Sequence, residues 1–123
     1  MGLDMYAYAT SEPITAEADF KPDWERATLI HEWRKHPNLH GWMEQLYRAK
    51  DGQADEFNVV ALMLTEADLD ELEADVDSGV LPETTGFFFG ASDGCEQADD
   101  LAFVHTAHAA IASGATVFYH SWW

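Results

Sequence analysis

Hydrophobic residues recur along this chain with different periods, and each period predicts a different element. Leu3, Met5 and the flanking Tyr6, Ala7 and Tyr8 form a short aromatic-rich segment that reads as a first strand. Residues 10–22 carry Ser11, Glu12, Pro13, Thr15 and Pro22 and read as a surface loop. Asp23 then suits a helix N-cap, with Glu25 near the positive end of the helix dipole. The predicted helix runs to about Lys35, because Pro37 disfavours helical geometry at His36. Leu39, Trp42, Met43, Leu46 and Tyr47 form the apolar stripe of a second helix, ended by Asp51-Gly52.

The run from Phe57 to Leu64, with Val59 and Val60 inside it, predicts a buried central strand. Thr65 and Asp68 have the spacing of a capping box. The helix they open carries Leu69, Leu72 and Val76 on one side and acids on the other, and Gly79 is its expected stop. Gly86-Phe87-Phe88-Phe89-Gly90 reads as a strand between glycines, with a turn over 91–94 after it. A helix over 96–112 places Leu101, Val104, His108 and Ile111 on one face, and residues 117–120 close the chain as a strand. The elements predict a small α+β single-domain sandwich over residues 1–123, with about four short strands and four helices and the strand order left open.

Composition supports a folded core: 47% of residues are hydrophobic and 13% aromatic, although the net charge is -17. That charge argues against direct binding to nucleic acid or an anionic membrane and favours a partner with a basic face; a salt-rich solvent would select the same composition. Cys95 is the single cysteine, which excludes an internal disulfide and a Cys-rich zinc site. Asp4 interrupts the short apolar start and no apolar run is long enough to span a bilayer, so a soluble, cytoplasmic protein is expected.

All six Lys and Arg residues lie between Lys21 and Lys50. From Asp51 onward there are fifteen carboxylates and no basic side chain except histidine. The island therefore presents the evident place to receive an anion. Arg34 offers a planar fork, Lys35 a point charge, His40 a proton carrier, and Trp33 and Trp42 stacking surfaces. The competing expectation is that the tryptophans are core and Arg34 pairs with nearby acids. His31, His36 and His40 straddle Pro37, which breaks any helix that would align them for a metal. His105 and His108, three apart, are the better-formed weak metal pair, with Asp99, Asp100 or Cys95 as added ligands. Glu66 to Asp77 holds seven carboxylates in twelve residues, either a solvated helix face or a mimic of a phosphate backbone. Ser92 and Cys95 match no nucleophile pattern.

Four segments together resemble a widespread family of small uncharacterised proteins found mainly in bacteriophage genomes. They are Met1-Gly2-Leu3-Asp4-Met5-Tyr6, the central Trp33-Arg34-Lys35-His36-Pro37-Asn38-Leu39-His40-Gly41-Trp42, Leu81-Pro82 with Gly86-Phe87-Phe88-Phe89-Gly90, and the final Tyr119-His120-Ser121-Trp122. Some members carry a phosphoglycerate kinase label, which a chain this short without a Gly-rich phosphate loop contradicts. Where members often have an aromatic, acidic stretch after the triple Phe, this chain has Ala91-Ser92-Asp93-Gly94-Cys95-Glu96. The resemblance implies a phage accessory protein, placed in the host cytoplasm.

The leading expectation is a non-catalytic binding role toward a small anionic ligand or a host protein. Tyr6, Trp33, Arg34, Lys35, His40, Trp42 and Phe88 are its candidate binding residues. An alternative is a hydrolase or transferase on a phosphorylated or nucleotide substrate, with His40 as general acid or base and Arg34 stabilising charge. A third reading is an acidic decoy for a basic nucleic-acid-binding host protein. The cofactor is left open, and Trp122 and Trp123 offer a route to a homo-oligomer.

Overall fold

The computed structural model describes residues 2–86 and 89–123. Strand β1 (Asp4–Thr10) is central, and β2 (Ala27–Arg34), β3 (Leu62–Leu64) and β4 (Thr116–Trp122) complete one antiparallel sheet in the order β2-β1-β4-β3. Three helices, α1 (Pro37–Ala49), α2 (Glu66–Asp77) and α3 (Gln97–Ala112), complete a small α+β domain.

Side chains of cross-paired residues share a face, and Met5–Trp33, Ala7–Tyr119 and Leu64–Val117 put one buried set together. Against that set pack Leu39, Met43 and Tyr47 of α1, Leu69, Leu72 and Val76 of α2, and Phe103, Val104 and Ala107 of α3. All three helices therefore cover the same face. The capping box at Thr65 and Asp68 forms as expected, with Thr65 Oγ1 accepting from Asp68 N and Asp68 Oδ2 from Thr65 N. Gly79 comes after α2 with a left-handed φ of 69°, a conformation that favours glycine.

Three predicted elements differ. Asp23 does cap a turn, its Oδ1 accepting from Glu25 N, but the turn is a single 3-10 turn over Trp24–Arg26. The chain then extends as β2 rather than continuing as a helix to Lys35. Pairing with β1 buries Trp33 while Glu32 and Arg34 take the opposite face, a burial that outweighs a weak local helix preference. Residues 57–64, expected as a central strand, contribute only three strand residues at the sheet's margin. Phe57 turns under α1, and Val59 is 56% exposed with a left-handed φ of 56°. The outer edge of β3 is closed by residues 17–19, through Met63 N to Glu17 O at 2.8 Å and Asp19 N to Ala61 O at 3.0 Å. The strand expected over 86–90 falls partly outside the described residues, and Gly86, Phe89 and Gly90 are not in a strand.

Candidate functional site

The basic island does not converge on one site. Trp33 and Trp42 are buried; Trp33 Nε1 donates to Asp100 Oδ1 at 3.0 Å, and Trp42 Nε1 to Asp75 Oδ2 at 2.9 Å. Arg34 donates to Asp4 Oδ1 at 3.0 Å. Arg48 donates to the carbonyls of Gly52, Ala54 and Asp55, and Lys50 to Asp68 Oδ2 and the Met63 carbonyl. Tyr6, Trp33 and Arg34 share a shallow depression on the sheet with Asp4 and Glu32. Lys35 sits at the exposed bend before α1, while His40 and Trp42 lie inside on α1. Phe88 lies outside the described residues.

His40 is 1% exposed, with Nδ1 2.7 Å from the Tyr119 hydroxyl and a further bond to the Phe57 backbone. Burial lowers its pKa to about 4, so it is neutral at pH 7 and carries no charge for an anion. Burial likewise raises Tyr119 well above the usual phenol range, which keeps this pair uncharged. His105 is exposed and His108 Nε2 faces Asp70 Oδ1 at 3.1 Å. Among the described residues no three His, Cys, Asp or Glu side chains gather as a metal site.

A different histidine is placed for chemistry. α1 starts at Pro37, and α3 starts close to it, so His36 meets the Ser92 loop on one side and Asp100 on the other. Ser92 Oγ accepts the Asn38 N–H at 3.1 Å and lies 2.6 Å from His36 Nδ1. With Nδ1 accepting, Nε2 carries the imidazole proton and donates to Asp100 Oδ2 at 2.8 Å. Asp100, 1% exposed, also takes the Trp33 indole proton. A cleft of about 370 Å³ opens onto this row, walled by Val76, Asp77, Leu81, Glu96 and Gln97. The same bonds serve the fold, since Ser92 satisfies a helix N-terminal N–H that no α1 side chain caps.

The row is not legible in the sequence, because its members stand 56 and 64 residues apart. One local signal was available: Asp93-Gly94-Cys95-Glu96 is a turn held by its own acidic side chains just before α3. Asp93 Oδ1 accepts from Cys95 N, and Glu96 from Asp93 N, so Ser92 lies immediately before a closed turn that leads into α3. Cys95 is exposed, and the Asp93 carboxylate beside it raises its pKa, which disfavours the thiolate a cysteine nucleophile needs.

Among the described residues no α-helix lies on the sheet's second face. Across it run Asp4, Arg34 and Trp122, then Tyr6, Glu32 and His120, then Tyr8, Leu29 and Phe118. Phe118 is buried beneath Phe20, Trp24 and Tyr8, with ring centroids 5.3–5.9 Å away. Trp24 stands edge-on to Tyr8 and His120 and remains 49% exposed, and Trp122 is 69% exposed. Trp123 by contrast is tied down, its Nε1 donating to the Phe57 carbonyl and its backbone paired with the Asn58 side chain. No helix among the described residues is long and apolar enough to cross a membrane.

Neither protein-family models, nor curated proteins, nor solved structures give a match to this chain.

Proposed function

We propose that the chain is a phage accessory protein that binds a host protein through the uncovered face of its sheet. The observation that carries this reading is the aromatic row Tyr6, Tyr8, Trp24 and Trp122 on a face no helix covers, with both tryptophans about half exposed or more. Tyrosine and tryptophan dominate the energetic centres of protein interfaces, because each offers a large rigid area with a polar tip. Asp4 and Glu32 stand in the same face and Asp23 and Glu25 flank Trp24, so an approaching surface meets carboxylates around aromatic rings. The partner this favours is basic, presenting Lys or Arg that can lie over the rings. With a net charge of -17, nucleic acid is repelled before it reaches this face.

The small-anion reading has weaker support, since Arg34 pairs with Asp4, Lys35 stands apart from His40 at an exposed bend, and His40 is neutral. The acidic-decoy reading keeps one specific support. Apart from the buried Asp68, the carboxylates of α2 occupy its exposed side, with Asp75 held by Trp42 and Asp70 facing His108.

Photo-crosslinking residues placed singly at Trp24, at Trp122 and at Glu71 on the exposed side of α2 separate these readings in host cells. Crosslinks to one basic protein from Trp24 and Trp122, with none from Glu71, are expected. Crosslinks from Glu71 alone would replace the aromatic face with the decoy, and none from any position would leave both without a partner.

A further inference from the structure

We infer that Ser92, His36 and Asp100 form a nucleophilic relay that hydrolyses small esters in the cleft between α3 and the loop after α2. This goes beyond the docking face, which lies on the other side of the sheet, and neither reading depends on the other.

Three features set the relay apart from an ordinary buried hydrogen-bond row. The first is connection: Ser92 Oγ lies 2.6 Å from His36 Nδ1, His36 Nε2 lies 2.8 Å from Asp100 Oδ2, and the Trp33 N–H donates to Asp100 Oδ1. That is the arrangement a serine nucleophile requires, with a base in contact and a carboxylate orienting the base. The imidazole here uses Nδ1 toward serine and Nε2 toward aspartate, and either nitrogen can accept a proton. The second is burial. His36 is 3% exposed and Asp100 1%, so the base and its carboxylate are shielded, while half-buried Ser92 borders the open cleft. The Asn38 N–H, in the first turn of α1, places the positive end of that helix against Oγ.

The third is an anion already resting beside the serine. The Asp93 and Gly94 N–H groups, directly after Ser92, bind the Glu96 carboxylate at 3.3 Å and 2.9 Å, and Glu96 Oε2 is 3.8 Å from His36 Nδ1. Two successive N–H groups holding a carboxylate oxygen can equally hold the oxyanion of a tetrahedral intermediate once Glu96 swings away.

In the reaction, Ser92 Oγ bonds to the ester carbonyl carbon as its proton passes to His36 Nδ1. The carbon–oxygen bond to the alcohol breaks, and the alcohol leaves with that proton. Water then attacks the acyl-serine, gives one proton to Nδ1, and releases the carboxylic acid as the proton returns to Ser92. Asp100 keeps its carboxylate throughout and acts as a positioning residue. The cleft holds a short acyl group against Val76 and Leu81, and Asp77 and Glu96 reject anionic substrates, so neutral or cationic esters are its class.

The test treats the full-length folded protein with a fluorophosphonate, which labels activated serines. Digestion is at carboxylates, because no Lys or Arg comes after Lys50. One adduct on Ser92 is expected, absent from Ser92→Ala and from protein unfolded in urea. His36→Gln, with an unchanged circular dichroism spectrum, should label at least about 100-fold more slowly. p-Nitrophenyl acetate should release one equivalent of nitrophenol in a burst, leaving an acetyl group on Ser92. No adduct on the folded protein, or an equal rate in urea, overturns the relay. Should His36→Gln fail to fold, the native-against-urea contrast decides alone.

Discussion

The two faces of the sheet use the same residue types to different ends. On the covered face, Trp33, Phe103 and Tyr119 are almost wholly buried, and their polar atoms, with those of the neighbouring histidines, are paired inside the protein. On the uncovered face, Tyr8, Trp24 and His120 also contact one another, yet Trp24 keeps half of its surface in water. Composition does not separate these faces. What separates them is whether a helix lies on top, and that decides which aromatic residues act as core and which remain available to a partner.

Deleting a ring on each side breaks the comparison most strongly. Phe103 is fully buried, edge-on to Trp33 at 4.8 Å, and Phe103→Ala should cost about 3–5 kcal/mol in urea denaturation. A loss below about 1 kcal/mol would mean that the helical layer packs loosely. Acid should act next, through His40. Its folded pKa of about 4 lies below the ordinary 6.5, so between these values the unfolded chain binds the extra proton. Stability should therefore fall by about 3 kcal/mol as pH drops from 6.5 to 4, and stay flat with respect to His40 above 6.5. Burial shifts His120 in the same direction. The comparison with His40→Asn isolates the effect, since a variant with the same pH slope would show that His40 does not carry it.

A smaller effect sharpens the helical layer itself. Thr65→Ala removes one half of the α2 capping box and should cost about 1 kcal/mol, read as a shift of the urea midpoint without a change in slope. The smallest change is expected on the uncovered side, where Trp122→Ala should alter stability by no more than about 0.5 kcal/mol while weakening any host-protein crosslink made from Trp24. A loss of stability like that of Phe103→Ala would show that the face is core after all.

Much of the helical layer was legible in the sequence because its signals are local. The stripe Leu39, Met43 and Tyr47, the Thr65–Asp68 box and the Gly79 stop each lie within a few residues, and each forms where expected. Residues 23–35 misled because Asp23 is a sound cap for any turn, and nothing within ten residues reveals that β1 is there to pair with residues 27–34. The candidate site was less legible still. Arg34 and Lys35 adjoin in sequence near His40, but an extended strand, a bend and a helix send them to three environments. Ser92, His36 and Asp100 meet only because the starts of α1 and α3 are neighbours in space.

By itself the sequence determined an acidic α+β chain, the place of α1, α2 and α3, and the lack of a second cysteine for a disulfide within the chain, since periodicity, capping and composition are properties of short windows. The tertiary structure decided which strand is central, which face stays uncovered, which histidine is a sealed neutral group and which one faces a serine. Those depend on contacts between residues thirty to eighty positions apart, whose geometry exists only once the sheet and its helical layer have closed on each other.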